Sequence, residues 1–279
     1  MKYKKYYIGI AILMIALLSI ICLDFHSPKS KLFRSMLKRG VDIFFESEGD
    51  WNYSPWYFQL RSKLGLFSTL NTTSIIFSDL DLSEFDFNEL RIIHEEYHVC
   101  LRRTNITDSQ LKTICQFKNI IALDFAGCKY ITDEGIREIA NLESLQWLDI
   151  SDTNFADYDV VLLKDIPNLK QLYLNHTHVS GSCFGTNDGW KSLKVLTLHG
   201  CKLNDDIFDT LSNTNLYSLN ISLNENNEIP PNIENLLKKE SFGRLYIVDK
   251  DLQEEDLLEK IPSEYRNKVD VGTCNCHDM

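Results

Sequence analysis

The sequence predicts an α/β solenoid: parallel β-strands line a concave face, short helices and loops form the convex side, and a transmembrane helix precedes them. Three observations carry this expectation. Apolar residues alternate in Leu123-Asp124-Phe125, Leu148-Asp149-Ile150, Leu172-Tyr173-Leu174 and Leu196-Thr197-Leu198, and the leading leucines advance by 25, 24 and 24 residues. Each alternation is followed by a small or hydroxyl residue (Cys128, Thr153, Thr177, Cys201) and then by an apolar one (Ile131, Phe155, Val179, Leu203). At the front of the chain, residues 6–23 carry no charge.

Alternation with period two describes a short strand with one buried face. The Cys or Thr that follows suits a turn interior, where it bonds backbone groups that burial would otherwise leave unpaired. Beyond it the spacing becomes helical. Ile131, Ile136, Ile139 and Leu142 fall at such intervals, with Thr132 or Asp133 placed to cap a short helix. Asp205 ahead of Ile207, Phe208 and Leu211 repeats the arrangement. Each unit is therefore strand, turn, short helix and return. One unit cannot bury its apolar face alone, whereas stacked units share a continuous core.

Fainter copies extend the array. Ile75 and Val99 stand at steps of 24 before Leu123, and Leu219, Leu245 and Val269 continue it, so about nine strands are expected over 71–279, the outer ones degenerate. The segment from Asn224 to Pro231 reads as an irregular convex loop.

These residues resemble the leucine-rich repeat, in the variant that carries Cys or Thr where many relatives have Asn. The matching stretches are Thr104-Asn105-Ile106-Thr107-Asp108, Cys128-Lys129-Tyr130-Ile131-Thr132-Asp133, Phe155-Ala156-Asp157 and Leu203-Asn204-Asp205. With the apolar N-terminal run, the chain looks like bacterial membrane-anchored leucine-rich-repeat proteins. That resemblance implies an interaction scaffold rather than an activity. The repeats also resemble the substrate-recognition part of F-box proteins, although no F-box-like helical segment stands ahead of them.

In chain order, residues 1–5 are a basic tip and 6–23 a signal anchor: 18 residues in a helix reach about 27 Å, near the ~30 Å of a bilayer's hydrocarbon. The end of this run lacks the small residues of a cleavage site, and Ile21 is bulky for a position preceding a lipidated Cys22. Basic residues flank both ends, and the expected orientation places the repeats outside the cytoplasm. Residues 24–40 read as a basic juxtamembrane connector and 41–70, rich in Trp and Tyr, as the cap that covers the first unit.

The chain has a formal charge of −11. Residues 1–40 hold eight of the 29 basic residues and one of the 40 acidic ones, so the remainder has 21 basic and 39 acidic residues, or −18. That excludes a basic footprint for nucleic acid and favours a protein or peptide partner. Eight cysteines without a paired-cysteine cap argue against a disulfide scaffold. Cys128 and Cys201 are expected as buried free thiols. Cys274-Asn275-Cys276-His277 lacks the second ligand pair that a structural zinc site requires.

Residues alternating with the buried pair point to the concave face. One column is Cys100, Asp124, Asp149, Tyr173, Thr197, Asn220 and Tyr246; the next is Arg102, Ala126, Ser151, Asn175, His199 and Ser222; Arg103, Gly127, Asp152, His176 and Gly200 form its margin. The candidate ligand-binding residues are Asp124, Trp147, Asp149, Asp152, Gln171, Tyr173, Asn175, His176, Thr197 and His199. A metal on Asp152, His176 and His199, or a nucleophile at Ser151 with His176, would need a signature the sequence lacks: there is no Gly-x-Ser-x-Gly elbow, His-Glu-x-x-His or phosphate-binding glycine loop. The expectation is a non-enzymatic, cofactor-free, membrane-tethered module that binds a protein or peptide partner through this face. The alternatives are a structural cell-envelope component without a selective ligand, or a substrate-recognition subunit of a larger complex.

Overall fold

The leading apolar residues form one continuous ladder. Ile75, Val99, Leu123, Leu148, Leu172, Leu196, Leu219, Leu245 and Val269 stand opposite one another in consecutive strands. The computed structural model describes residues 26–45, 72–185, 189–223, 229, 231–248 and 254–272. Within these, the chain is α/β with a ten-stranded sheet ordered β1 to β10 as in the sequence. The strands are β1 (Asp42–Phe45), β2 (Thr72–Ile76), β3 (Tyr97–Cys100), β4 (Ile120–Asp124), β5 (Trp147–Asp149), β6 (Gln171–Tyr173), β7 (Val195–Leu198), β8 (Ser218–Ile221), β9 (Arg244–Val248) and β10 (Val269–Gly272). β1 is antiparallel to β2, and every later pair is parallel. A parallel sheet in strict sequence order is compatible with a solenoid.

The nine expected strands are β2 to β10. Two core columns run through them: the ladder above and Phe77, Leu101, Phe125, Ile150, Leu174, Leu198, Ile221 and Ile247, all buried. Parallel sheets usually have both faces covered and read as unbroken apolar runs. Here only one face packs on the core, so the strands keep their alternation and the other face stays polar.

The returns are short. They are α2 (Asp108–Ile114), α3 (Asp133–Ile139), α4 (Asp157–Val160), α5 (Ile207–Ser212), α6 (Ile233–Leu237) and α7 (Glu254–Glu259), with 3-10 turns at Phe87–Ile92, Val161–Leu163, Ser182–Phe184 and Ser263–Lys268. Such lengths are below the roughly 12–15 residues that hold a helix in isolation. Packing supplies the stability: Leu111, Ile136, Ile139, Phe184, Phe208 and Leu211 are buried against the sheet. Thr132 caps α3, its hydroxyl accepting the Glu134 N–H at 3.2 Å. Asp205 is not the cap of α5, which starts at Ile207 behind Asp206 and has no side-chain cap bond.

Polar rungs repeat with the apolar ones. Four residues before successive leading leucines, the side chains of Asn119, Ser144, Asn168 and Ser192 donate to backbone carbonyls of the preceding unit: Asn119 to Glu95 at 2.6 Å, Ser144 to Ile120 at 2.9 Å, Asn168 to Glu143 at 2.8 Å and Ser192 to Pro167 at 2.5 Å. The Cys/Thr place forms a second rung. Thr104, Thr153 and Thr177 donate to the carbonyls of Leu101, Ile150 and Leu174 in their own units. The Cys128 and Cys201 thiols donate backwards to Leu101 and Leu174 at 2.9 and 3.1 Å. Both cysteines are buried and free, as are Cys100 and Cys183.

The front end differs from the expectation. Residues 28–38, read from sequence as part of a solvated connector over 24–40, form helix α1 (Pro28–Lys38). Ser27 caps it through a bond from the Ser30 N–H at 3.1 Å, and proline occupies its first turn. Its period was missed because four basic residues mask an apolar stripe. Leu32, Phe33 and Met36 are buried, and Lys29 pairs with Glu95. With β1 and the Phe77–Phe85–Phe87 ring cluster, α1 covers the first parallel unit. The expected cap over 41–70 contributes β1; residues 46–71 lie outside the described residues. So does the predicted span over 6–23, and among the described residues no helix is long and apolar enough to cross a membrane.

Candidate functional site

The open sheet face carries the predicted columns in register. Cys100, Asp124, Asp149, Tyr173, Thr197, Asn220 and Tyr246 are paired strand to strand. Period-two alternation on a parallel sheet makes this outcome unavoidable once the leucines align.

Asp124 and Asp149 do not form an open acidic patch. They are 3% and 4% exposed. Arg102, a residue outside the predicted set, bridges both: its Nε donates to Asp124 Oδ2 at 2.6 Å and one terminal nitrogen to Asp149 Oδ2 at 2.8 Å. The guanidinium spans two units across Ala126, whose small side chain leaves room in the adjoining column. The remaining carboxylate oxygens accept backbone N–H groups, Asp124 from Ala126 at 3.1 Å and Asp149 from Ser151 at 2.9 Å. Burial and the neighbouring Asp124 charge push the Asp149 carboxyl above the ordinary range, more than the Ser151 and Arg102 bonds lower it.

Beside this cluster lies a row of rings. Trp147 and Tyr173 meet at a tilt of 44° with 5.1 Å between centroids, and His98 meets Trp147 edge-on at 5.2 Å. Ala122 separates His98 from Trp147 in their column, and its small size lets the indole lean across. Gln171 accepts the Tyr173 hydroxyl at 3.1 Å. Trp147, Gln171 and Tyr173 are all half-buried. Burial lowers the affinity of His98 for a proton, against the opposing charge of Asp124. Sequence reading missed His98, although it occupies the same strand place as Trp147 and Gln171.

Ser151, which is buried, and Asn175, which is half-buried, both bond backbone. Ser151 Oγ accepts the Asn175 N–H at 3.1 Å, and Asn175 Oδ1 accepts the His199 N–H at 3.0 Å. The His176 and His199 rings meet edge-on at 4.9 Å. Thr197 is buried, and its Oγ1, with His98 Nε2 and Asn220 Oδ1, finds no hydrogen-bond partner among the described residues. Asp152 and His176 are exposed. Both belong to a column in the left-handed conformation: Asp79, Arg103, Gly127, Asp152, His176 and Gly200 have φ between 53° and 71°. Each unit turns at this place, and only glycine adopts it freely. At Gly200 the requirement is double, because a Cβ there would meet His176 Nδ1 at 2.1 Å.

A groove lies on the flank. The 25-residue step from Leu123 to Leu148 arises from Lys129-Tyr130, two residues where neighbouring units have one. A cavity of about 510 Å³ opens at this insertion, lined by Asp133, Asp152, Phe155, Tyr158 and Asp159 among others. One unit further on, Asp157 accepts four bonds from the next turn: from Ser180 N and Oγ at 2.8 and 2.7 Å, Gly181 N at 3.1 Å and Cys183 N at 3.0 Å. Among the described residues, no group of three His, Cys, Asp or Glu side chains is placed to hold a metal ion.

The site thus combines a pair of carboxylates bridged by one guanidinium, a half-exposed ring row and a flank groove. No family model matches this chain, and no curated protein sequence is significantly similar to it.

Proposed function

We propose that the chain is a leucine-rich-repeat module, tethered to a membrane through residues 6–23, that binds a protein or peptide partner through the concave face of its sheet and catalyses no reaction. The observation that supports the reading most directly is the ring row His98, Trp147 and Tyr173 with Gln171. Half-buried aromatic groups carrying a polar edge are the side chains that dominate protein interfaces. Their neighbours Asp124 and Asp149 are occupied by Arg102, so recognition falls to the rings and amides rather than to free carboxylates.

The test uses the tagged full-length chain in detergent, with Trp147→Ala and Tyr173→Ala as variants. These truncate side chains without touching the buried ladder. A partner retained by the parent and released by both variants, with unfolding curves unchanged, supports the reading. A partner held equally by all three chains removes the concave face from consideration. Reproducible failure to retain any partner favours the structural envelope component.

A further inference from the structure

We infer that helix α1 is a docking surface for anionic lipid, which lays the first unit of the sheet flat on the bilayer. The inference rests on the membrane tether proposed above and adds where the folded part sits. Helix α1 divides its residues sharply. The inner side places Leu32, Phe33 and Met36 in the core, and its one inward cation, Lys29, has Glu95 as partner. The outer stripe carries Lys31, Arg34 and Lys38, at intervals of three and four residues, and so on one face. Lys31 and Lys38 are exposed.

Two further facts select the occupant. The first is charge: this basic stripe belongs to a chain whose residues 41–279 sum to −18, so α1 is positive where the rest of the molecule repels anions. The second is reach. Only residues 24–27 separate the apolar run from Pro28. Fully extended, four residues cover about 14 Å. If 6–23 spans the bilayer, the start of α1 cannot leave the headgroup neighbourhood, where basic side chains meet phosphates within a screening distance of about 8 Å. Because α1 packs on β1 and the first 3-10 turn, docking it leaves the later units stacked away from the membrane, with the ring row clear of the lipid.

The experiment measures acylation of individual lysines, by mass spectrometry, on the full-length chain in nanodiscs of phosphatidylcholine with or without phosphatidylglycerol. Exposed Lys191 serves as internal reference. The expected result is a several-fold fall in Lys31 and Lys38 modification relative to Lys191 in anionic discs only, reversed by high salt. Lys31→Gln should return Lys38 towards its reactivity in neutral discs. Equal reactivity in both lipids, or equal protection in both, overturns the inference while leaving the tether intact. Release of the chain from the discs by alkaline carbonate overturns the tether, and this inference falls with it.

Discussion

Asp149 on the open sheet face and Asp157 on the flank lie in the same repeat, the first buried and the second half-buried, and their carboxyls shift in opposite directions. Burial and the Asp124 charge raise Asp149. Burial acts on Asp157 as well, but donors from Ser180 and Cys183 outweigh it and hold its carboxyl below the ordinary range. The difference lies in the donors and in the depth of burial. Asp157 collects four bonds that favour its charged form, whereas Asp149 shares one guanidinium with a second carboxylate. Burial alone therefore does not say what a carboxylate contributes; the ratio of donors to like charges does. One region joins consecutive units through a charge, and the other balances two charges against one.

Three measurements bear on this contrast. The largest effect is expected for Asp157→Ala, which leaves backbone N–H groups of Ser180, Gly181 and Cys183 without their acceptor. It should cost about 3–4 kcal/mol in urea unfolding of the detergent-solubilised chain; a cost near that of a surface substitution would mean that water replaces the carboxylate. Arg102→Ala comes next, at about 2–3 kcal/mol, because it leaves Asp124 and Asp149 facing each other without a cation. Adding Asp149→Asn should recover part of that loss, and a strictly additive double variant would break the proposed sharing. The smallest change is Asp149→Asn alone, under about 1 kcal/mol at neutral pH, since the amide keeps the acceptor for Ser151.

The pH dependence has a defined sign at each residue. Asp157 has a lowered folded value, so its stabilisation is present above the unfolded value and lost as pH falls through the folded one. Asp149 has a raised folded value. Between that value and the ordinary 3.8 the folded chain holds a proton that the unfolded chain has released, so lowering the pH through this window adds stability. Asp149→Asn should remove that gain and steepen the acid-side loss; an unchanged acid limb would contradict the raised Asp149 value.

Much of the architecture was legible in the sequence, because it rests on local periodicity. The ladder from Ile75 to Val269 follows from alternation plus a near-constant step. The Cys/Thr place and the Thr132 cap follow from side-chain chemistry within one turn. The polar rung of Asn119, Ser144, Asn168 and Ser192 was equally visible at a fixed offset before each leucine, but a polar residue in a turn gives no sign of where it donates until the preceding unit is beside it. Helix α1 was hidden for a different reason: its four basic residues mask the apolar stripe of Leu32, Phe33 and Met36.

The sequence by itself determined which residues share a face, since strand alternation and repeat length allow one register that buries every leucine. Only the tertiary structure decided what those neighbours do to one another. Arg102, Asp124 and Asp149 come from three different units, and nothing along the chain shows that one guanidinium reaches two carboxylates. The same holds for Trp147, which lies between His98 and Tyr173 because Ala122 leaves the space. Such contacts depend on distances between units, and these exist only after the units have stacked.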